Sequence, residues 1–177
     1  MIPNRLPAAI VVRFHETLVK PQMPPQTYIA ECPVGRGLFS REPIASGTEI
    51  LRLTGPILSL NEVRTKGPSQ AANALQIGID RYLDLDEPGR FINHSCAPNA
   101  AVMRDTTLVA IRQIAAGEEI RFDYSTTISD GWTMECHCGA KDCRGLIVAF
   151  QLLPEALRRR YAVLGHVQRF MLEQVES

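Results

Sequence analysis

From Thr27 to Tyr124 the chain is cut repeatedly by glycine and proline, and the pieces between the cuts are short and rich in aliphatic, aromatic and β-branched residues. Thr27-Tyr28-Ile29, Gly37-Leu38-Phe39-Ser40 and Ile50-Leu51-Arg52-Leu53 come first, the last of them ended by Gly55-Pro56. A weakly helical stretch over 61–74, interrupted by Gly67-Pro68, precedes Leu75-Gln76-Ile77-Gly78-Ile79, Tyr82-Leu83-Asp84-Leu85 and Thr107-Leu108-Val109-Ala110-Ile111. Runs of this length bounded by turn residues read as strands. One heptapeptide pattern occurs twice: Ile44-Ala45-Ser46-Gly47-Thr48-Glu49-Ile50 and Ile114-Ala115-Ala116-Gly117-Glu118-Glu119-Ile120. Each copy sets a glycine turn between two β-rich runs, a hairpin signature, and two copies are too few for a solenoid. The expected fold is mostly β, built from several small antiparallel sheets rather than βαβ units.

The two ends differ from this middle. Residues 1–26 form an arm broken by Pro3, Pro7, Pro21, Pro24 and Pro25, with Ile10-Val11-Val12-Arg13-Phe14 as one short strand. After Pro154 there is no further proline and only Gly165. Leu157, Tyr161, Leu164, Val167, Met171 and Val175 recur at spacings of 4, 3, 3, 4 and 4, one face of an amphipathic helix with Pro154 suited to its first turn. Arg158-Arg159-Arg160 reads as a solvated part of that helix, mildly opposed to the dipole at its start.

Composition narrows the function. The 177 residues are 45% hydrophobic and 21% charged, which argues against disorder. Lys+Arg and Asp+Glu are both 19, so no excess charge points to nucleic acid or an anionic membrane. No apolar run approaches the length of a membrane span, and the first residues do not form a secretory signal. A reducing, intracellular setting follows, and five cysteines there need a role other than disulfides. Cys136, Cys138 and Cys143 fall within eight residues, the spacing of metal ligands. Zinc prefers four donors, so Cys96 or Cys32 completes the set or one position stays open; His137, between two ligands, points away.

Three further segments are unremarkable singly. Val34-Gly35-Arg36-Gly37-Leu38 shows only a sharp turn or a close backbone approach. Arg90-Phe91-Ile92-Asn93-His94-Ser95-Cys96-Ala97-Pro98-Asn99 reads as an internally packed loop with Asn and Ser bonded to backbone. Glu118-Glu119-Ile120-Arg121-Phe122-Asp123-Tyr124 is a β-run ending in Asp-Tyr. In this order, and followed by Cys136-His137-Cys138 to Cys143-Arg144-Gly145, they resemble the signature of SET-domain protein lysine methyltransferases with a post-SET zinc motif. The resemblance covers about residues 27–147. It divides the chain into an arm (1–26), a SET domain (27–130), a post-SET zinc segment (131–147) and a C-terminal helical extension (148–177). No cysteine-rich segment precedes the domain, as expected of a minimal, bacterial-type form, cytoplasmic in that case.

The resemblance implies short curved sheets with a knot-like crossing, where the chain near Asn93–Cys96 passes beside Phe122–Tyr124. It implies methyl transfer from S-adenosylmethionine to the ε-amine of a lysine in a protein substrate. From the balanced charge no direct nucleic-acid or membrane partner is expected, and the oligomeric state stays open, a monomer slightly favoured. Tyr124 matches the catalytic tyrosine, and Phe122 the position that limits how many methyls are added, here pointing to di- or trimethylation. Tyr82 is a second channel tyrosine. Asn93 reaches the cofactor's amino end and His94 its adenine, mainly through backbone. Gly35, Arg36 and Gly37 approach its methionine part, with Arg36 near the carboxylate. Trp132 is either part of a lid over the cofactor or a core residue. In this family the cysteine of the Asn93–Cys96 segment joins the other three, so the zinc ligands are Cys96, Cys136, Cys138 and Cys143, and Cys32 is a buried thiol. Two alternatives stay open: a catalytically inactive, zinc-stapled binding module, and a methyltransferase of small amines.

Overall fold

The computed structural model describes residues 26–173. The strand expected at Ile10–Phe14, nearly all of the arm, and Val175 lie outside the described residues. Among the described residues, five small sheets carry the fold. β1 (Thr27–Cys32) and β2 (Gly35–Ser40) form an antiparallel hairpin in which Cys32 pairs with Gly35. β3 (Glu49–Arg52) joins β8 (Ala100–Met103) and β9 (Thr107–Ala110) in the order β3-β9-β8. β4 (Ile57–Leu58), β5 (Ala74–Gly78) and β6 (Arg81–Asp84) form a second three-stranded sheet in the order β4-β6-β5. β7 (Asn93–His94) pairs in parallel with β10 (Arg121–Phe122), and β11 (Met134–Glu135) pairs with β12 (Leu146–Ile147). The weakly helical 61–74 region becomes two short helices, α1 (Leu60–Thr65) and α2 (Pro68–Ala71). α1 starts where it does because Ser59 and Glu62 form a capping box: the Glu62 N–H donates to Ser59 Oγ, and the Ser59 N–H donates to Glu62 Oε2.

The repeated heptapeptide does make two turns, but neither closes a hairpin. β2 pairs with β1 rather than β3, and β9 pairs with β3 and β8 rather than β10. The two copies instead bond to each other, Ile44 and Ile114 exchanging N–H···O bonds of 2.9 Å. Around this pair the bonding is two-fold: the Gly47 N–H donates to Ala110 C=O and the Gly117 N–H to Ser40 C=O, both at 2.7 Å. Each copy is thereby satisfied by the strand that precedes the other copy. Leu38, Ile44, Ile50, Leu108, Ile114 and Ile120 meet between the halves and are almost completely buried, as a main core.

The C-terminal periodicity belongs to two helices, not one. α3 (Glu155–Leu164) stops at Gly165, whose φ of +66° is left-handed and costs a side-chain-bearing residue energy. The His166 N–H reaches Tyr161 C=O at 2.9 Å and the Gly165 N–H reaches Ala162 C=O at 3.2 Å, the two bonds of a Schellman cap. α4 (Arg169–Glu173) follows. Leu164, expected on the buried face, is exposed because the chain turns there. Tyr161, Val167, Phe170 and Met171 still converge with Phe150 and Leu153 in a second apolar cluster. Backbone bonds dock it on the rest: Phe150 N–H to Ile128 C=O at 3.0 Å and Gln168 N–H to Thr126 C=O at 3.2 Å.

Met171 is fully buried in this second cluster. Met171→Ala is expected to destabilise the protein by about 2–4 kcal/mol through lost burial and a residual cavity. Urea denaturation should show a lower midpoint with an unchanged slope; an unchanged midpoint would mean that this cluster does not take part in cooperative folding.

Candidate active site and metal centre

The site is built where β7 and β10 run side by side, Arg121 beside Asn93 and Phe122 beside His94. Ser95 N–H and Asn99 N–H donate to Phe122 and Arg121 carbonyls at 3.0 and 3.2 Å. The Asn99 side chain, 2% exposed, completes the join: its Nδ2 donates to Glu118 Oε1 and Glu119 C=O, and its Oδ1 accepts from the Arg121 N–H. The expected crossing of Asn93–Cys96 beside Phe122–Tyr124 is therefore present, and the loop is packed inside the protein.

Immediately after β10, Asp123 caps a 3₁₀ turn over Tyr124–Thr127 by accepting the Ser125 N–H at 3.1 Å. The same carboxylate accepts Arg144 Nη2 at 2.7 Å and the Tyr161 hydroxyl at 2.8 Å. These bonds orient the turn that carries Tyr124. The Tyr124 N–H donates to His94 Nδ1 at 3.1 Å, and its hydroxyl donates to Ile92 C=O at 2.7 Å. Burial, with Glu119 adding to it, raises the Tyr124 phenol well above its ordinary range, so it stays protonated at neutral pH.

Tyr124 and Phe122, ring centroids 4.8 Å apart, line a mostly apolar cavity of about 330 Å³. Tyr82 and Trp132 line it too. Tyr82, nearly buried, donates to Asp130 Oδ2 at 3.0 Å, and burial followed by the Asp130 charge raises its phenol strongly. Trp132 stands 38% exposed at the rim and is not a core residue. Sequence reasoning missed two parts of this wall: Leu60 and Val63 of α1, and the Asp130 loop that Gln76 holds by accepting the Ser129 N–H at 2.8 Å. Neither carries a motif, because the wall is assembled by packing.

Gly35, Arg36, Gly37, Asn93 and His94 do not line this cavity. Asn93 gathers against the β2 backbone, its Nδ2 donating to Arg36 C=O at 3.0 Å. The Arg36 guanidinium lies 4.2 Å from the centre of the Phe91 ring. Cys32 is not a buried thiol: it is half-buried at the end of β1, 3.4 Å from Asn93 Nδ2.

The other four cysteines come together. Cys96 Sγ lies 3.7 Å from Cys136 Sγ, Cys143 Sγ lies 3.6 Å from Cys136 Sγ, and Cys138 Sγ accepts the Cys96 N–H at 3.4 Å. For zinc at about 2.3 Å from each sulfur, a tetrahedral edge is about 3.8 Å, so these separations suit it. His137 points to solvent, as expected, 3.6 Å from Glu135. His94 offers a fifth donor, its Nε2 3.4 Å from Cys96 Sγ, and it lies with Cys96, Cys136 and Cys138 in one compact group. Burial, opposed by Asp123, lowers the His94 pKa to about 4, so the ring is neutral at pH 7. Its Nδ1 accepts from Tyr124, which leaves the proton on Nε2. A protonated Nε2 donates to the Cys96 sulfur and does not ligate, which favours Cys143 as the fourth donor.

A SET-domain family model matches residues 35–125. The chain belongs to the SET-domain family. It is 32% identical over 134 residues, 66% of this chain, to the histone-lysine N-methyltransferase trr of Drosophila melanogaster. It is 31% identical over 126 residues, 62% of this chain, to histone-lysine N-methyltransferase 2B of Homo sapiens. These matches span only 6% and 5% of the relatives' own lengths. The SET domain thus occupies the sheets around the crossing. The segment 131–147, with Cys136, Cys138 and Cys143, and the second apolar cluster lie beyond the residues that the family model matches.

Purified protein is expected to carry about one zinc per chain. Cys96→Ser and Cys143→Ser should each release it to a mild chelator, whereas His94→Gln and Cys32→Ser should retain it in elemental analysis. Zinc kept by Cys143→Ser and lost by His94→Gln would reverse the assignment of the fourth donor.

Proposed function

We propose that this SET domain transfers methyl groups from S-adenosylmethionine to the ε-amine of a lysine in a protein, to the di- or trimethylated state. The observation that supports it most directly is Tyr124, protonated and with its hydroxyl proton committed to Ile92 C=O, on the wall of an apolar cavity. S-adenosylmethionine, when bound, supplies a methyl on a sulfonium, whose S–C bond breaks as the amine lone pair forms N–C. The acceptor must be neutral, although a free lysine has a pKa of about 10.4. The apolar lining of the cavity disfavours the ammonium, and its proton leaves to water before transfer. Tyr124 cannot serve as the base, since it holds its own proton. Its oxygen is left as an acceptor for an amine N–H and so orients the lone pair, a contribution of positioning.

Asn93, His94 backbone and the Gly35-Arg36-Gly37 strand are the proposed cofactor-binding groups, and Trp132, at the rim of the Tyr124 cavity, is the proposed lid residue. Cys96, Cys136, Cys138 and Cys143 hold a structural zinc in this reading, and its role is to pin the metal segment to the crossing. The relatives are named for histone lysines; a histone or another protein is the substrate class proposed here. Cysteines that hold zinc as thiolates fit a reducing, intracellular setting.

Labelled methyl transfer from S-adenosylmethionine into a cell lysate, followed by identification of the labelled lysine, tests the proposal. Cofactor binding with label only in small amines, or with no label at all, would overturn it in favour of the alternatives above. Tyr124→Phe is expected to bind cofactor normally but turn over about 100-fold more slowly, because the amine is no longer oriented. Near-normal turnover by this variant would remove Tyr124 from the mechanism. Phe122 has no hydroxyl to restrain a methylated amine. Mass spectrometry should therefore find di- or trimethyl-lysine at long reaction times, and Phe122→Tyr should shift the product toward monomethyl-lysine. An unshifted distribution would free this position of that role.

A further inference from the structure

The Asn93 amide is held in one orientation. Its Nδ2 donates to Arg36 C=O at 3.0 Å and to Glu119 Oε1 at 2.8 Å. A carbonyl and a carboxylate offer only lone pairs, so the amide nitrogen faces them and Oδ1 faces away. Both N–H groups are then committed, and Oδ1 takes no donor among the described residues. Asn93 therefore presents a fixed acceptor outward, which suits an ammonium and not a carboxylate.

Glu119 is itself held. Its backbone bridges Phe39 in β2, and Arg121 Nε lies 3.7 Å from Glu119 Oε2 while Arg121 Nη1 donates to Cys138 C=O at 3.0 Å. Gly37 leaves the carboxylate its space: a Cβ there would lie 2.5 Å from Glu119 Oε1 and 3.2 Å from Asn93 Nδ2. Any side chain at position 37 would push the carboxylate off the amide. The close approach at Gly37 is therefore to the Glu119 carboxylate and the Asn93 amide.

We infer that Glu119 is a positioning residue for the cofactor's amino-acid end, locking the Asn93 amide with its oxygen turned toward the ammonium. This rests on the proposed binding of S-adenosylmethionine beside Gly35–Gly37 and Asn93. With Glu119 gone, one of the two anchors is lost, and a rotated amide turns an N–H toward the ammonium instead of a lone pair.

Calorimetric titration of zinc-loaded protein with two non-reacting probes tests this. S-adenosylhomocysteine carries the ammonium, and 5′-methylthioadenosine lacks that end. Glu119→Ala is expected to weaken S-adenosylhomocysteine about tenfold or more and to change 5′-methylthioadenosine by less than about twofold, the size of one charge-assisted hydrogen bond. Glu119→Gln retains an acceptor for Asn93 and should recover most of the loss. Equal weakening of both probes, no weakening of either, or a Gln variant as impaired as Ala would each overturn the role of Glu119 while leaving the proposed function standing. A wild-type protein that binds neither probe would overturn both.

Discussion

The buried carboxylate of Asp123 holds the molecule's parts together. It is 2% exposed and collects the Ser125 N–H, the Arg144 guanidinium and the Tyr161 hydroxyl. These donors belong to the turn of Tyr124, the metal segment and the C-terminal helices. Burying a carboxylate is tolerable only with such partners, and leaving any one of them unmade exposes the full desolvation cost. The pairing also keeps Arg144 fully charged despite its burial. The second apolar cluster, Cys143 and the site turn are thus fixed by one group that stands one residue from Tyr124.

His94 forms the other link. It accepts the Tyr124 N–H on one side and donates to the Cys96 sulfur on the other. A metal held by the four sulfurs would stiffen Cys96, and through His94 the backbone of Tyr124. This gives a structural ion a route of influence on the site without any part in chemistry. The two-fold bonding of the repeated heptapeptides supplies the base for both links, because the second copy ends at Ile120, where β10 begins.

Much of this was legible in the residues, and the parts that were not share a cause. The glycine turns of the repeats were visible as local chemistry. Their mutual pairing was not, since seventy residues separate Ile44 from Ile114 and no local pattern encodes a partner. The helical periodicity after Pro154 was real, yet it ran through a break. Val167, in the link after Gly165, and Met171, in α4, keep the spacing because link and helix bury against the same cluster as Tyr161 of α3. Cys32 looked like a spare hydrophobic thiol, but its place at the hairpin end beside Asn93 depends on the β1–β2 register.

Sequence alone determined the mostly-β class, the family, the cysteine trio and the identity of Tyr124, Phe122 and Asn93 as site residues to examine. Each of these rests on local spacing or on an ordered set of short motifs, and such signals survive in one dimension. Tertiary structure decided which groups serve them. Glu119 and Gly37 fix the Asn93 amide, and Asp123 is shared by Arg144 and Tyr161 from 21 and 38 residues away. His94 proved to be a donor to sulfur. Hydrogen bonds between side chains remote in sequence have no period and no required spacing, so only the crossing of β7 and β10 brings their partners within reach.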